Sequence, residues 1–323
     1  MMRYIVLDLE WNQPRYPRET VEKPLHLTGE VIQIGAVRLN RKFRIRKELR
    51  LAVKPQYYKK VHRRVGEITG LNNEDLKKGY DFPKAMKKLL RFCGKDYVFL
   101  TWGPDDIPML RDNLILHGLE DCLPKVYDLQ VIFAKQIAGE NRQFSLSLAM
   151  EMLGEGEFDA HDALNDARST ALVCRHLRME EGLKEYPLLA NEITDRPLST
   201  AELGIRFESK QAALREVETT PFPSPCSEEY LEPQGMVPQN PSKYLAIAEG
   251  ENDEKYLVRF LLRKNRDGEV RITREIFALN EAVLLFYREK ARIWEEKKKA
   301  EREKEKRKKI RRRKKLASAA TEA

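Results

Sequence analysis

Apolar and polar positions in the first 180 residues alternate between two periods, one suited to strands and one to helices. Residues 3–9 (RYIVLDL) form a short β-branched apolar run suited to a central strand. Residues 31–39 (VIQIGAVRL) read as a second strand, and residues 43–53 as a third. In the third, Phe43, Ile45, Leu49, Leu51 and Val53 share one face, and Arg44, Arg46, Glu48 and Arg50 the other. The short Asn40-Arg41-Lys42 connection suits a hairpin, which makes strands two and three antiparallel neighbours.

Helical period begins near Asn73, with Pro83 breaking it into two pieces. Residues 97–102 (YVFLTW) are another buried strand, 106–117 a helix, 126–130 a brief strand, and 144–153 a helix ending at Gly154. A long helix from about Asp162 to Met179 closes the pattern. This order predicts an α/β fold, a mixed sheet with helices on both faces, over residues 1–183.

The pattern then decays. Seven of the chain's 16 prolines lie between residues 197 and 241, and residues 184–242 read as a partly ordered connector with one short helix near 201–216. Residues 243–278 carry three strand-like runs, KYLAIAEG, EKYLVRFLLRK and EVRITREIF, with turns at Asn252-Asp253 and Asn265-Arg266-Asp267-Gly268. They predict a small antiparallel β unit over 243–287, in which Asn280 caps a helix. That helix runs into a basic, helical or disordered tail at 288–323.

Charge follows the same divisions. Lys+Arg number 60 against 51 Asp+Glu, a net of +9, yet residues 288–323 alone hold 17 basic and 7 acidic side chains. The basic balance therefore describes the tail rather than the folded core. No run of 18 uncharged apolar residues occurs, which argues against a membrane span. Cys93, Cys122, Cys174 and Cys226 are widely spaced, unlike a zinc knuckle or a disulfide-stapled module. A cytoplasmic protein is the expectation.

Acidic residues stand in telling places. Asp8 and Glu10, two apart at the end of the first strand, project to one face. Asp105 and Asp106 follow the YVFLTW strand, and Asp162 and Asp166 lie in the opening of the last helix of this region, behind His161. Carboxylates gathered at one side of a sheet repel one another unless cations neutralise them, and Mg²⁺ or Mn²⁺ suits an all-oxygen donor set. Two such ions form a clamp for attack on a phosphodiester, and a neutral histidine nearby takes the water's proton.

The segments YIVLDLEWN, TWGPDDIPML and HDALNDARSTAL resemble, in order, the three signature motifs of the DEDDh 3′→5′ exonucleases, a DnaQ-like, RNase T-like family of ribonuclease H-like fold. Between them, VKPQYYKKVHRRVGEITGL and FSLSLAMEMLG resemble two further stretches of that family. The W-N after D-L-E and the W-G-x-x-D form look like the enhanced-RNA-interference and KapD-like subgroup. The resemblance implies Asp8, Glu10, Asp106 and Asp166 as ligands of two Mg²⁺ or Mn²⁺ ions, and His161 as general base. Asp106 is preferred to Asp105 because it stands four residues after Trp102 and four before Leu110. Leu9, Trp11 and Trp102 are the implied substrate contacts. Trp11 replaces the family's usual small residue, and either stacks on the terminal base or fills the wall of the site. The implied activity is metal-dependent release of nucleoside monophosphates from single-stranded 3′ ends, RNA preferred over DNA. A DNA exonuclease of repair and a regulatory protein without turnover are the alternatives.

Other features have plainer readings. His26, His62, His117 and His176 read as structural, Asp162 and Asn165 as helix-start residues, and Asp128 as a turn cap. The basic run at 304–315, with ten Lys and Arg, is a candidate for phosphate contact or an ordinary solvated segment. So is the basic outer face of the third strand. A protein partner is the other candidate occupant of 243–287 or the tail.

Overall fold

The computed structural model describes residues 2–321 other than 141, 157–159, 194, 251–253 and 265–267, with backbone alone at 204, 205 and 306–321. Its first sheet follows the predicted alternation. Strands β1 (Arg3–Asn12), β2 (Glu30–Leu39) and β3 (Ile45–Lys54) lie side by side in antiparallel pairing. A short 3₁₀ turn (Pro17–Glu19) sits between the first two. The hairpin is held by Asn40, whose side chain accepts the N–H groups of Lys42 (2.8 Å) and Arg44 (3.0 Å). Phe43 in that turn has a positive φ of 54° and packs on Tyr4, across the sheet from Leu51 and Val53. The single apolar face expected from Phe43 to Val53 is therefore broken: the turn puts Phe43 on the other side, Ile45 is 37% exposed, and burial on this face begins with Leu49 and Leu51.

Helices α1 (Arg63–Thr69) and α2 (Asn73–Lys77) lead to the short β4 (Tyr80–Asp81) and to α3 (Phe82–Cys93). Pro83 stands in the first turn of α3, where its missing N–H costs nothing. Then come β5 (Tyr97–Thr101), α4 (Asp106–Leu116), β6 (Val126–Asp128), α5 (Leu129–Phe133) with a π turn through Ala138, and α6 (Leu146–Met152). The region ends in α7 (Ala163–Val173) and α8 (Met179–Leu189). The helix expected over 162–179 therefore ends early, at Val173, and the chain turns with Cys174 and Leu177 in the core before α8 begins at Met179.

The sheet order is β4-β3-β2-β1-β5-β6, with β1 parallel to β5 and β5 to β6. Alternation along β1 sends Ile5, Leu7 and Leu9 to a core shared with α3 and α4. Tyr4 and Val6 face the other core, shared with α5, α6 and α7. The mixed sheet with helices on both faces is present.

Residues Met1–Ala190 form one compact unit and Asn191–Ala323 a second. In the second, residues expected as connector supply β7 (Ser199–Phe207), α9 (Lys210–Thr219) and a ribbon of β8 (Phe222–Pro223) with β9 (Tyr230–Leu231). They also supply β10 (Gln234–Asn240). With β11 (Lys243–Glu249), β12 (Lys255–Lys264) and β13 (Val270–Ala278) these build a five-stranded antiparallel sheet, order β10-β11-β12-β13-β7. The two strands missed from the pattern are its edges, where a proline such as Pro238 is tolerated. The expected turns at Asn252-Asp253 and Asn265 to Asp267 lie outside the described residues. Helix α10 (Glu281–Thr321) starts at Asn280, whose Oδ1 accepts the Val283 N–H at 3.0 Å. Most side chains of the basic run at 304–315 lie outside the described residues.

Candidate active site

Strand β1 outruns its parallel neighbour. Pairing with β5 stops at Val6–Leu100, while pairing with β2 continues to Asn12–Glu30. The backbone beyond Val6 is consequently open on one edge, and Asp106 at the start of α4 uses it. Its Oδ1 accepts the Leu9 N–H at 2.9 Å, with Asp106 only 6% exposed. Asp105, one residue earlier, is exposed. Of the two adjacent aspartates, the fold brings Asp106 to the end of β1.

Asp8 and Glu10 project to the α7 face of the sheet, on which Leu164, Ala167 and Ala171 pack. Gly35 lies directly across from Asp8 on β2. A Cβ there would stand 2.0 Å from the Ala163 carbonyl oxygen, so the absence of a side chain lets the start of α7 cross the sheet beside Asp8. A clamp then fixes that start. Gln33 donates to Asp162 (3.0 Å) and accepts the Ala163 N–H (2.8 Å). Arg50 donates to the other Asp162 oxygen (2.6 Å), which also caps the Asn165 N–H at 3.1 Å. Asp162 is the helix-start residue expected, and also the hub that ties α7 to β2 and β3.

The clamp aims the next residues. His161 holds a positive φ of 66°, and its N–H donates to Asp166 Oδ2 at 3.0 Å. Histidine visits this left-handed region more readily than branched residues, and such backbone is concentrated at functional sites. Donor atoms of Glu10, His161 and Asp166 all lie within 4.8 Å of one another.

Electrostatically the group is under tension. Burial pushes the Asp8 carboxyl well above its usual range, and Asp106, Asp166, Glu10 and Asp162 push it further. Burial, with Asp166, Asp106 and Asp162, raises Glu10 to about 8. Burial raises Asp106 to about 7 against the opposing pull of the Leu9 N–H. Oxygen donors crowded into mutual repulsion, with one imidazole beside them, are a donor set that suits hard divalent cations, and those within 4.8 Å of one another belong to Glu10, His161 and Asp166.

The three implied substrate contacts are placed differently from one another. Leu9 is buried in the α3–α4 core, on the face opposite Asp8 and Glu10, and reaches the site only through its N–H. Trp11, half-buried after a bulge at Glu10, crosses Gly29, where a Cβ would meet the indole at 2.6 Å and the Met109 side chain at 2.8 Å. Trp102 is also half-buried, its indole N–H donating to the Phe144 carbonyl (3.0 Å) and its ring against Phe133. Asp128 caps α5 as expected, accepting the Gln130 N–H at 2.9 Å, and also the Gly103 N–H at 2.8 Å. Gln33, Gly35 and Arg50 were not singled out by motif. A polar residue and a glycine inside the apolar run VIQIGAV were the available signal.

The exonuclease family represented by RNase T matches residues 5–174. Two curated relatives, DNA polymerases III of PolC type from Thermotoga petrophila and Thermotoga maritima, are 32% and 31% identical over 157 residues. That stretch is 48% of this chain and 11% of each relative, so the chain spans about a tenth of their length. Among solved structures, the nuclease domain of 3′hExo, a DEDDh family member, bound to rAMP is similar at 20% identity. It covers 56% of this chain and 92% of that one, with a TM-score of 0.48. The zinc-bound Escherichia coli ExoI–ssDNA complex is similar at 13% identity, over 76% and 54% of the two chains, with a TM-score of 0.46.

Proposed function

From membership of the RNase T-type exonuclease family, to which this chain belongs, we propose that it hydrolyses single-stranded nucleic acid from the 3′ end, metal-dependently, with RNA preferred. The observation that carries the reading is the group of mutually repelling carboxylates at the end of β1, beside Glu10, His161 and Asp166 in close reach of one another.

Asp8, Glu10, Asp106 and Asp166 would hold one or two divalent cations of the Mg²⁺ or Mn²⁺ class. Bound there, such cations polarise the scissile phosphate and lower the pKa of a water. The protein's own work is positional. Asp106 is set by the Leu9 N–H, Asp166 by the His161 N–H, and the start of α7 by the Gln33–Asp162–Arg50 clamp. His161, exposed at the mouth of the group, takes the proton of the attacking water on its imidazole. Trp11 and Trp102 form aromatic walls for the terminal nucleotide, and Leu9 acts through its backbone. The motif forms W-N and W-G-x-x-D support RNA. The curated relatives are DNA polymerases, which favours DNA as the second reading.

Degradation of 3′-labelled and 5′-labelled single strands of RNA and DNA, with Mg²⁺, Mn²⁺ or chelator, tests this. Stepwise shortening from the 3′ end, faster on RNA and abolished by chelator, is expected. Equal rates with chelator would refute metal dependence, and faster loss of DNA would select the second reading.

A further inference from the structure

Beyond Trp11 the chain builds a second feature. Asn12, fully buried at the end of β1, donates to the carbonyls of Tyr58 (2.7 Å) and Lys60 (2.9 Å) and accepts the His62 N–H (2.8 Å). Glu30, also buried and directly across from Asn12, accepts the N–H groups of Tyr57 (2.9 Å), Tyr58 (2.8 Å) and Gln56. The Tyr58 hydroxyl donates to the Leu27 carbonyl (2.8 Å) and accepts the Val21 N–H (3.1 Å), joining two loops. Burying a carboxylate is unfavourable, and burial does raise Glu30's pKa against those three N–H groups. Three buried polar side chains thus hold one surface segment rigid.

Between the two loops lies a cleft of about 410 Å³. Gln13, Arg15 and Glu19 stand on one side, and Tyr57, Lys59 and Lys60 on the other. Tyr57 is 43% exposed. Three cations against one carboxylate, beside an accessible aromatic ring, match a nucleic-acid strand: phosphates for the cations and a base for the ring. Rigid backing lowers the ordering cost of binding.

We propose that this cleft seats the nucleotides upstream of the scissile linkage, with a base stacked on Tyr57 and phosphates on Arg15, Lys59 and Lys60. The inference rests on the nuclease reading above. Its location follows from register. Gln13 is three residues beyond Glu10, about 10 Å along an extended strand. The rival basic surface, the Arg41, Lys42, Arg44 and Arg46 hairpin with its own cleft of about 560 Å³, has no aromatic lining. It also follows Leu39, which pairs with Tyr4 at the opposite end of β1.

The test is binding of the full-length protein, in chelator, to a fluorescent single-stranded oligonucleotide of about 12 nucleotides across a salt series. Tyr57→Ala is expected to weaken binding about tenfold, since one base stack is lost, and Tyr57→Phe to restore it. Lys59→Ala with Lys60→Ala should flatten the slope of log affinity against log salt by about 1.4, at about 0.7 per phosphate contact. Arg41→Ala with Lys42→Ala should leave both unchanged. Binding by Tyr57→Ala equal to wild type, or a loss confined to the hairpin variant, overturns the proposal. Cleavage in Mg²⁺ reads the underlying function separately. A wild-type protein that binds through the cleft but never cleaves would refute the nuclease reading and leave the cleft standing. One that cleaves while the cleft variants bind normally would do the reverse.

Discussion

Two places in the molecule, one in each compact unit, remove charge from water in opposite ways. In the second unit, Arg259 on β12 stands directly across from Glu275 on β13. Nε lies 2.5 Å from the carboxylate, the side chains are 13% and 15% exposed, and the guanidinium rests 4.8 Å above the Phe277 ring centroid. In this pair each charge has its partner. In the first unit, Asp8, Glu10 and Asp106 are pressed together with Asp166, and each of the first three has its carboxyl raised by burial, with neighbouring carboxylates adding to it. A compensated pair is a structural device; an uncompensated group of like charges destabilises the fold and persists where chemistry requires it.

The contrast breaks most completely if a carboxylate of the first unit is dispensable. Asp8→Asn removes charge while nearly keeping shape, and its turnover on a 3′-labelled single strand with Mg²⁺ should fall by about a thousandfold or more. Its thermal midpoint in chelator should rise, because one repelling charge is gone. Activity near wild type, or a lowered midpoint, would mean that the group is held for stability.

His161→Ala should lose about 10²–10⁴-fold in turnover, the range for a positioned general base, with oligonucleotide affinity in chelator unchanged. Affinity and rate falling together would make His161 a substrate contact. In the second unit, Glu275→Gln leaves Arg259 without its countercharge and should cost about 3 kcal/mol in urea unfolding. Cleavage of a dinucleotide should continue, since every candidate catalytic residue lies within 1–190. A neutral substitution would erase the distinction between the two kinds of buried charge.

The smallest effect is a pH dependence of the metal-free fold. Glu10 is raised from about 4.5 to about 8, so between those values the folded state binds more protons than the unfolded one. Stability should therefore fall as pH rises through that window, the reverse of a salt-bridged carboxylate. The thermal midpoint moves by about 2–4 °C per kcal/mol at this size. Saturating Mg²⁺ should flatten the slope, and an identical slope with and without the ion would disconnect these carboxylates from cation binding.

The candidate site was legible from the chain because its pieces are local. Asp8 and Glu10 share a face by strand alternation alone, and His161 and Asp166 are adjacent through one helix start. Asp106 over Asp105 came from motif spacing, and the structure brings Asp106 to β1 because the Leu9 N–H is left open where β5 ends. The edge strands β7 and β10 were not legible. Their residues, GIRF and MVPQ among Ser, Gly and Pro, carry little alternation of their own; β7 becomes a strand by pairing with β13 across some 70 positions (Ile276 with Ser199), and β10 by pairing with the adjacent β11 (Val237 with Leu245).

By itself, then, the sequence determined the periods of its elements, the identity of the carboxylates and the order in which they arrive. Those are properties of residues a few positions apart. The tertiary structure alone decided what holds them. Gly35 admits the Ala163 backbone, Arg50 reaches Asp162 across 112 residues, and Asn12 and Glu30 turn inward to fix the segment around Tyr57. Each of these is a contact between distant segments, and none exists until the sheet has brought its strands into register.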